Sequence, residues 1–177
     1  MKNISTLIFF CFTSMFLFAQ DLHELARSGS VAEVEQFLKK EPDAINKLSD
    51  RGVTPFILAC YRGNNDVAKY LMNNGADVNV CTSEGSAIYG IIFKNNTEML
   101  SYILENGISP NDTCQFHQFG SPLHMAMALK RYEIVEILLK KGADKSLPNQ
   151  EGTSVQELLF RYSDDKLTTI FKSYEKN

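Results

Sequence analysis

Two cysteines and a histidine are the residues of this sequence best suited to chemistry. Cys114 and His117 stand three positions apart in Cys-Gln-Phe-His, a spacing at which two side chains can hold one metal ion, and Cys81 lies upstream. The three could respond to metal or to oxidation, or Cys81 and Cys114 could form a disulfide. A zinc site needs a third and a fourth ligand that the sequence does not provide, so no metal is predicted.

Catalytic patterns are absent from the sequence. It contains only three histidines, His23, His117 and His124. Nucleophilic catalysis needs a base placed beside the nucleophile and a further group that orients the base. No G-x-S-x-G, phosphate-binding loop, H-E-x-x-H or G-x-G-x-x-G is present. The sequence therefore predicts a non-enzymatic protein that uses no cofactor.

The composition excludes other classes of protein. The chain has 177 residues, a net charge of −3 at pH 7 and 44% hydrophobic residues. This hydrophobic share is typical of a folded globular protein and too high for a disordered one. The mildly acidic balance argues against nucleic-acid binding. The length fits one compact domain or a short array of repeats.

The segment 1–19 differs from the rest of the chain. Lys2 is its only charge, and the apolar run from Ile4 to Ala19 is shorter than the roughly 20 residues that a membrane-spanning helix needs. This pattern is typical of a secretory signal peptide, with cleavage expected after Ala19, and an uncleaved anchor is the alternative. We therefore expect a periplasmic or secreted protein that leaves the membrane after cleavage and retains three cysteines, an odd number.

A pattern of glycines and apolar stripes recurs in residues 20–177. Each copy closes on a glycine, at Gly75, Gly107 and Gly142, and these lie 32 and 35 residues apart. Each stripe has helical spacing and predicts a short amphipathic helix. Such helices bury their apolar faces only by stacking on neighbouring copies. The stripes are Val67, Ala68, Leu71 and Met72; Met99, Leu100, Ile103 and Leu104; and Ile134, Val135, Leu138 and Leu139.

The recurring blocks resemble the ankyrin-repeat family. The opening block of that family is matched by Gly52-Val-Thr-Pro-Phe and Ser121-Pro-Leu-His, and the closing block by Gly75-Ala-Asp-Val-Asn and Gly142-Ala-Asp. Half-matches at both ends extend the array to about five repeats. The resemblance implies an all-α solenoid of stacked helix–turn–helix units with β-turn finger loops. We place the repeats at about 20–48, 49–81, 82–113, 114–148 and 149–177.

The resemblance also predicts how the repeats are held together. In the family a histidine hydrogen-bonds within and between repeats, and His23 and His124 match its position. Ile57 and Tyr89 replace that histidine in the second and third repeats, so we expect a less stable middle. At the two ends, Glu33 and Lys172 replace apolar helix residues, as expected of capping repeats that face water.

A protein partner is implied by the resemblance, since the fingers and first helices of ankyrin repeats form a concave binding surface. We expect a monomer. For Phe93, and for the two phenylalanines of a finger three residues longer than the others, packing between repeats is an equal alternative to binding. The predicted binding residues are Arg51, Tyr61, Arg62, Phe93, Lys94, Phe116, His117, Phe119 and Leu129.

The state of the cysteines stays open at this point. Stacked helices lie about 8–10 Å apart, whereas bonded cysteines need Cα atoms within about 7 Å, so regular stacking disfavours a Cys81–Cys114 bond. The longer finger supplies slack that would permit the bond, and export would permit oxidation. A redox- or metal-responsive function of Cys81, Cys114 and His117 is the alternative to protein binding. Cys60 is expected to be buried and inert.

Overall fold

Ten α-helices form five consecutive pairs in the part of the chain that the structure describes. The computed structural model describes residues 21–83, 85–112, 114 and 119–174. The all-α ankyrin solenoid predicted from the sequence is confirmed, and each predicted repeat range contains one helix pair, although the repeat boundaries themselves stay predictions. The helices are α1 (Leu22–Ser28), α2 (Val31–Leu38), α3 (Pro55–Arg62), α4 (Asn65–Asn73), α5 (Ala87–Phe93), α6 (Thr97–Glu105), α7 (Pro122–Ala128), α8 (Tyr132–Lys140), α9 (Val155–Tyr162) and α10 (Asp165–Ser173), with a 3₁₀ turn at Pro42–Asn46.

Hydroxyl caps and glycines set the ends of these helices. The Thr54 hydroxyl accepts the Ile57 N–H at 3.2 Å, and Pro55 occupies the first turn, where its missing N–H costs nothing. Gly75 and Gly142 follow α4 and α8 with φ of +95° and +84°, a left-handed conformation that side chains with a Cβ rarely adopt. These signals fix the helix lengths locally, before any packing between repeats.

Stacking of the pairs builds one continuous core. The first helices α1, α3, α5 and α7 pack on one another in chain order. The predicted apolar stripes of α4, α6 and α8 face inward, and Val67, Met99 and Ile134 are each 0% exposed. Full burial of one such side chain contributes roughly 1.5–3 kcal/mol. A single pair could not bury these stripes, so the fold depends on its neighbours along the array.

Hydrogen bonds between repeats follow the expected histidine positions, with one correction. The Nε2–H of His23 donates to the Val53 carbonyl at 3.2 Å, and that of His124 donates to the Thr153 carbonyl at 3.2 Å. The expectation that Tyr89 breaks this pattern is wrong. Its hydroxyl donates to the Gly120 carbonyl at 2.7 Å, because the longer phenol reaches the same kind of acceptor in the next repeat.

Among the residues that the structure describes, the junction between the second and third repeats lacks this hydrogen bond from a first helix to the next repeat. Ile57 is 1% exposed and offers only apolar packing there. Elsewhere an asparagine also bridges fingers: Asn46 accepts the Asp77 N–H and Asn111 accepts the Asp144 N–H, both at 2.7 Å. Asn79 holds the equivalent place at this junction and is exposed, and no matching bond exists among the described residues. Side-chain contacts join α4 and α6 at this junction instead. The Tyr102 hydroxyl donates to Asn73 Oδ1 at 3.0 Å, and Lys69 forms an ion pair with Glu98.

Both ends of the array expose charged side chains to water, and the fifth repeat also exposes a phenylalanine. Glu33 and Lys172 are exposed, as capping repeats require. Phe160 is also 86% exposed, although it occupies the repeat position of Cys60 and Met127, which are both 1% exposed. Cys60 and Met127 are each followed by a further described repeat, whereas Phe160 lies in the last one. In the ranges that the structure describes, no helix is both long and apolar enough to cross a bilayer.

Candidate functional site

Five of the predicted binding residues surround one groove. It has a volume of about 630 Å³ and lies between the ends of the first helices and the loop 47–53, called here the first finger. The residues that it brings together are Arg51, Tyr61, Arg62, Phe93 and Lys94.

Stacked helix ends position one wall of this groove. Tyr61 and Arg62 are the last residues of α3, and Phe93 and Lys94 hold the same places at the end of α5. The two helices approach closely because Gly90 has no side chain: a Cβ there would lie 2.6 Å from Cδ2 of the Tyr61 ring. The glycine therefore sets the position of the tyrosine on this wall.

The first finger forms the facing wall and is held at both its ends. Its turn closes with the Gly52 N–H donating to the Ser49 carbonyl at 2.8 Å. The Nε2–H of His23 donates to the Lys47 carbonyl at 2.9 Å as well as to Val53, so α1 fixes both ends of the finger. The groove is thus formed before any partner arrives, which lowers the ordering cost of binding.

The charges around the groove are only partly satisfied. Five cations and four acids line it. Arg27 pairs with Glu24 at 3.4 Å, and Asp21 accepts the Glu24 N–H at 2.9 Å as the cap of α1. Three cations of the lining have no acidic partner within 4.0 Å in the described ranges: Lys47, Arg62 and Lys94.

Sequence reasoning missed the contribution of the first repeat to this groove. Arg27 lines it and occupies the same repeat position as Tyr61 and Phe93, so extending the repeat alignment to α1 would have found it. Leu48 lines it too, with 55% of its surface exposed. A large exposed aliphatic side chain in a finger carries no recognisable sequence signal, because many surface residues are apolar.

The remaining predicted residues lie elsewhere. Phe119 is half-buried and packs against the core, which supports the packing interpretation for this residue. Leu129 directly follows α7, is also packed against the core and does not line the groove. Phe116 and His117 lie outside the described residues.

A disulfide joins the finger of residues 79–85 to the longer finger of residues 111–120. The Cα atoms of Cys81 and Cys114 are 5.4 Å apart, closer than the spacing of stacked helices. The Cys114 N–H donates to Asp112 Oδ1 at 2.6 Å, and the Ser86 hydroxyl donates to Asp112 Oδ2. The disulfide thus crosses the junction between the second and third repeats, which within the described ranges has neither the hydrogen bond from the first helix nor the asparagine bridge.

Other candidates for chemistry are occupied by structural roles. His124 is 1% exposed, its Nδ1 accepts from Ser121, and burial lowers the pKa of its imidazole, so the neutral ring is favoured. Burial raises the pKa of the Cys60 thiol, which keeps it protonated and unreactive. In the described part of the chain, no three histidine, cysteine or acidic side chains cluster as a metal site would require.

Comparison with known proteins identifies the family. The family model of ankyrin repeats in three copies matches residues 22–114 and 82–149. A putative ankyrin repeat protein of Rickettsia felis is 30% identical over 119 residues, 66% of this chain and 38% of that protein. The phosphocholine transferase AnkX of Legionella pneumophila is 26% identical over 140 residues, 77% of this chain and 15% of that protein. This chain therefore spans well under half the length of these relatives. Because the family model covers most of the chain, the protein belongs to the ankyrin-repeat family.

Proposed function

We propose that this protein is a non-enzymatic module that binds another protein through the groove between the first finger and the ends of α3 and α5. The single observation that carries the proposal is the convergence of five predicted binding residues on one preformed groove. Ankyrin repeats generally act as protein–protein interaction modules. Aromatic and arginine side chains, which are enriched at binding hot spots, occur together on its wall.

A non-enzymatic role is supported by what the histidines do. Both ring nitrogens of His124 are engaged, Nε2 with the Thr153 carbonyl and Nδ1 with Ser121, and Nε2 of His23 holds the Lys47 and Val53 carbonyls of the first finger. The transferase activity printed in the name of the Legionella relative belongs to a protein of which this chain matches 15%.

Affinity capture tests the proposed function. The protein and its Arg62→Glu/Lys94→Glu variant are used as bait in an extract of the source organism, with a Lys40→Glu/Lys140→Glu variant as a control of equal charge, since both control lysines are exposed and lie outside the groove. We expect a partner bound by the protein and the control but lost with the groove variant. Recovery of the same proteins by all three baits would refute binding through this groove.

Export to an oxidising compartment is the second part of the proposal. The predicted signal peptide, residues 1–19, lies outside the described residues, and the Cys81–Cys114 disulfide supports export independently, because disulfides persist mainly outside the cytosol. Fractionation and N-terminal sequencing test it. We expect an exported chain that begins at Gln20; a cytosolic chain that keeps Met1 or Lys2 would contradict export. The exported protein is proposed to be a monomer, which its sedimentation in solution can test.

A redox-responsive role is the second candidate function, favoured by the position of the disulfide between two fingers. Reduction would remove a covalent link at the junction between the two repeats that carry Arg62 and Lys94. Partner capture with and without reductant, together with a metal assay, separates this role from constitutive binding. Equal capture in both conditions and a metal-free protein would exclude it.

A further inference from the structure

We infer that the groove takes an extended segment of the partner that carries two carboxylates about three residues apart, with an apolar side chain between them. This inference rests on the proposed function and names the chemistry of the partner. Three observations support it: the unpaired cations, the exposed apolar side chains and the spacing of the helix ends.

The cations argue for carboxylates. Arg62 and Lys94 hold equivalent positions in consecutive repeats and have no acidic partner within 4.0 Å in the ranges that the structure describes. The protein as a whole carries a net charge of −3, whereas the wall formed by the ends of α3 and α5 is positively charged. Two acids of the lining, Glu41 and Asp50, belong to the first repeat and the first finger and not to the wall of helix ends. An acidic segment of a partner would therefore be attracted to the ends of α3 and α5.

The exposed hydrophobic side chains argue for an apolar residue between the carboxylates. Four large hydrophobic side chains are exposed in the described ranges, and two of them, Phe93 at 56% and Leu48 at 55%, line this one groove. Tyr61 lies beside them on the wall. Apolar area of this kind rimmed by charged groups is typical of a protein interaction site.

The spacing of the helix ends sets the spacing in the partner. Packed helices lie about 8–10 Å apart, which separates the Arg62 and Lys94 positions by a similar distance. An extended chain in the polyproline II conformation has three residues per turn and rises about 3.1 Å per residue, so carboxylates three residues apart lie on the same side and span roughly 9 Å. On a helix, side chains three or four residues apart lie only about 5–6 Å apart, so carboxylates this close in sequence reach both cations from an extended chain rather than from a helix.

Selection from a random peptide library tests the inference. The probe is a displayed library of twelve-residue peptides, selected on the protein expressed from its full-length sequence and then measured as synthetic peptides. We expect enriched peptides with two acidic residues three apart and an apolar residue between them. Replacing both acids by amides should weaken binding at least about tenfold.

The groove variants complete the test. Arg62→Glu/Lys94→Glu should lose the selected peptides by at least about tenfold, and Lys40→Glu/Lys140→Glu should keep them. Circular dichroism and thermal melting of each variant show that it is folded. Enrichment of basic or uncharged peptides, the absence of any binder, or equal binding by the groove variant would overturn the inference. Stronger binding to a single-stranded oligonucleotide, lost in the groove variant, would overturn it as well.

Failure of the inference and failure of the proposed function are distinguishable. A partner captured from extract through Arg62 and Lys94 would uphold the proposed function even if the library returned no acidic motif. Selection of the acidic motif through these two residues would uphold the inference even if the extract lacked the natural partner.

Discussion

Removing the Cys81–Cys114 disulfide is expected to destabilise the protein strongly. The bond closes a loop with a sequence separation of 33. The chain-entropy relation gives about 12.5 cal/mol/K for such a loop, or about 3.7 kcal/mol at 25 °C. Single domains are stable by only about 5–15 kcal/mol, so this is a large share. At about 2–4 °C per kcal/mol for a domain of this size, the melting temperature should fall by about 7–15 °C.

Urea unfolding with and without reductant measures this loss. Wild-type protein is compared with Cys81→Ser, Cys114→Ser and the double variant, and thiols are titrated after denaturation. We expect two more thiols after reduction of the wild type. Because each variant removes the same bond, the two single variants and the double variant should lose similar free energies of unfolding, and reductant should not destabilise any of them further.

One combination of results would refute this reasoning. If titration shows that the bond is present but reductant leaves the urea midpoint of the wild type unchanged, the bond does not restrict the unfolded chain as argued. Two single variants whose losses add in the double variant would likewise show that each cysteine acts through its own packing.

Three further substitutions test other parts of the fold. Tyr89→Phe should lower the free energy of unfolding by about 1–3 kcal/mol in urea titrations, because the buried Gly120 carbonyl loses its donor. Since the pKa of His124 lies below its usual 6.5 in the folded protein, only the unfolded chain gains a proton there as the pH drops below that value. Stability should therefore fall below about pH 6.5, and His124→Gln should flatten this slope in urea midpoints between about pH 7 and 5. Gly90→Ala should lower both the melting temperature and groove binding, because displacing the Tyr61 ring outweighs the roughly 1 kcal/mol gain in helix propensity.

The repeat pattern made the helices and the groove wall predictable. Positions within a repeat determine which way a side chain faces, so Tyr61 and Phe93 could be placed on one surface from their spacing alone. The apolar stripes could be assigned to the core for the same reason.

Contacts that depend on how far a side chain reaches, or on the course of a finger loop, could not be predicted from the repeat pattern. The bond of Tyr89 could not be predicted, because only the structure shows that its hydroxyl reaches the Gly120 carbonyl. The approach of Cys81 and Cys114 could not be predicted either, because regular repeat spacing would place their Cα atoms too far apart for a bond. The exposure of Phe160 follows from its place in the last described repeat and not from its residue type.

The placement of the disulfide has a consequence for how the array comes apart. A linear array separates most easily at its poorest junction, because each repeat contacts only its neighbours. In this protein that junction lies between the second and third repeats, and the Cys81–Cys114 disulfide spans it. Partial unfolding is therefore displaced to the ends, with α1–α2 and α9–α10 fraying first while the middle repeats melt as a single cooperative unit.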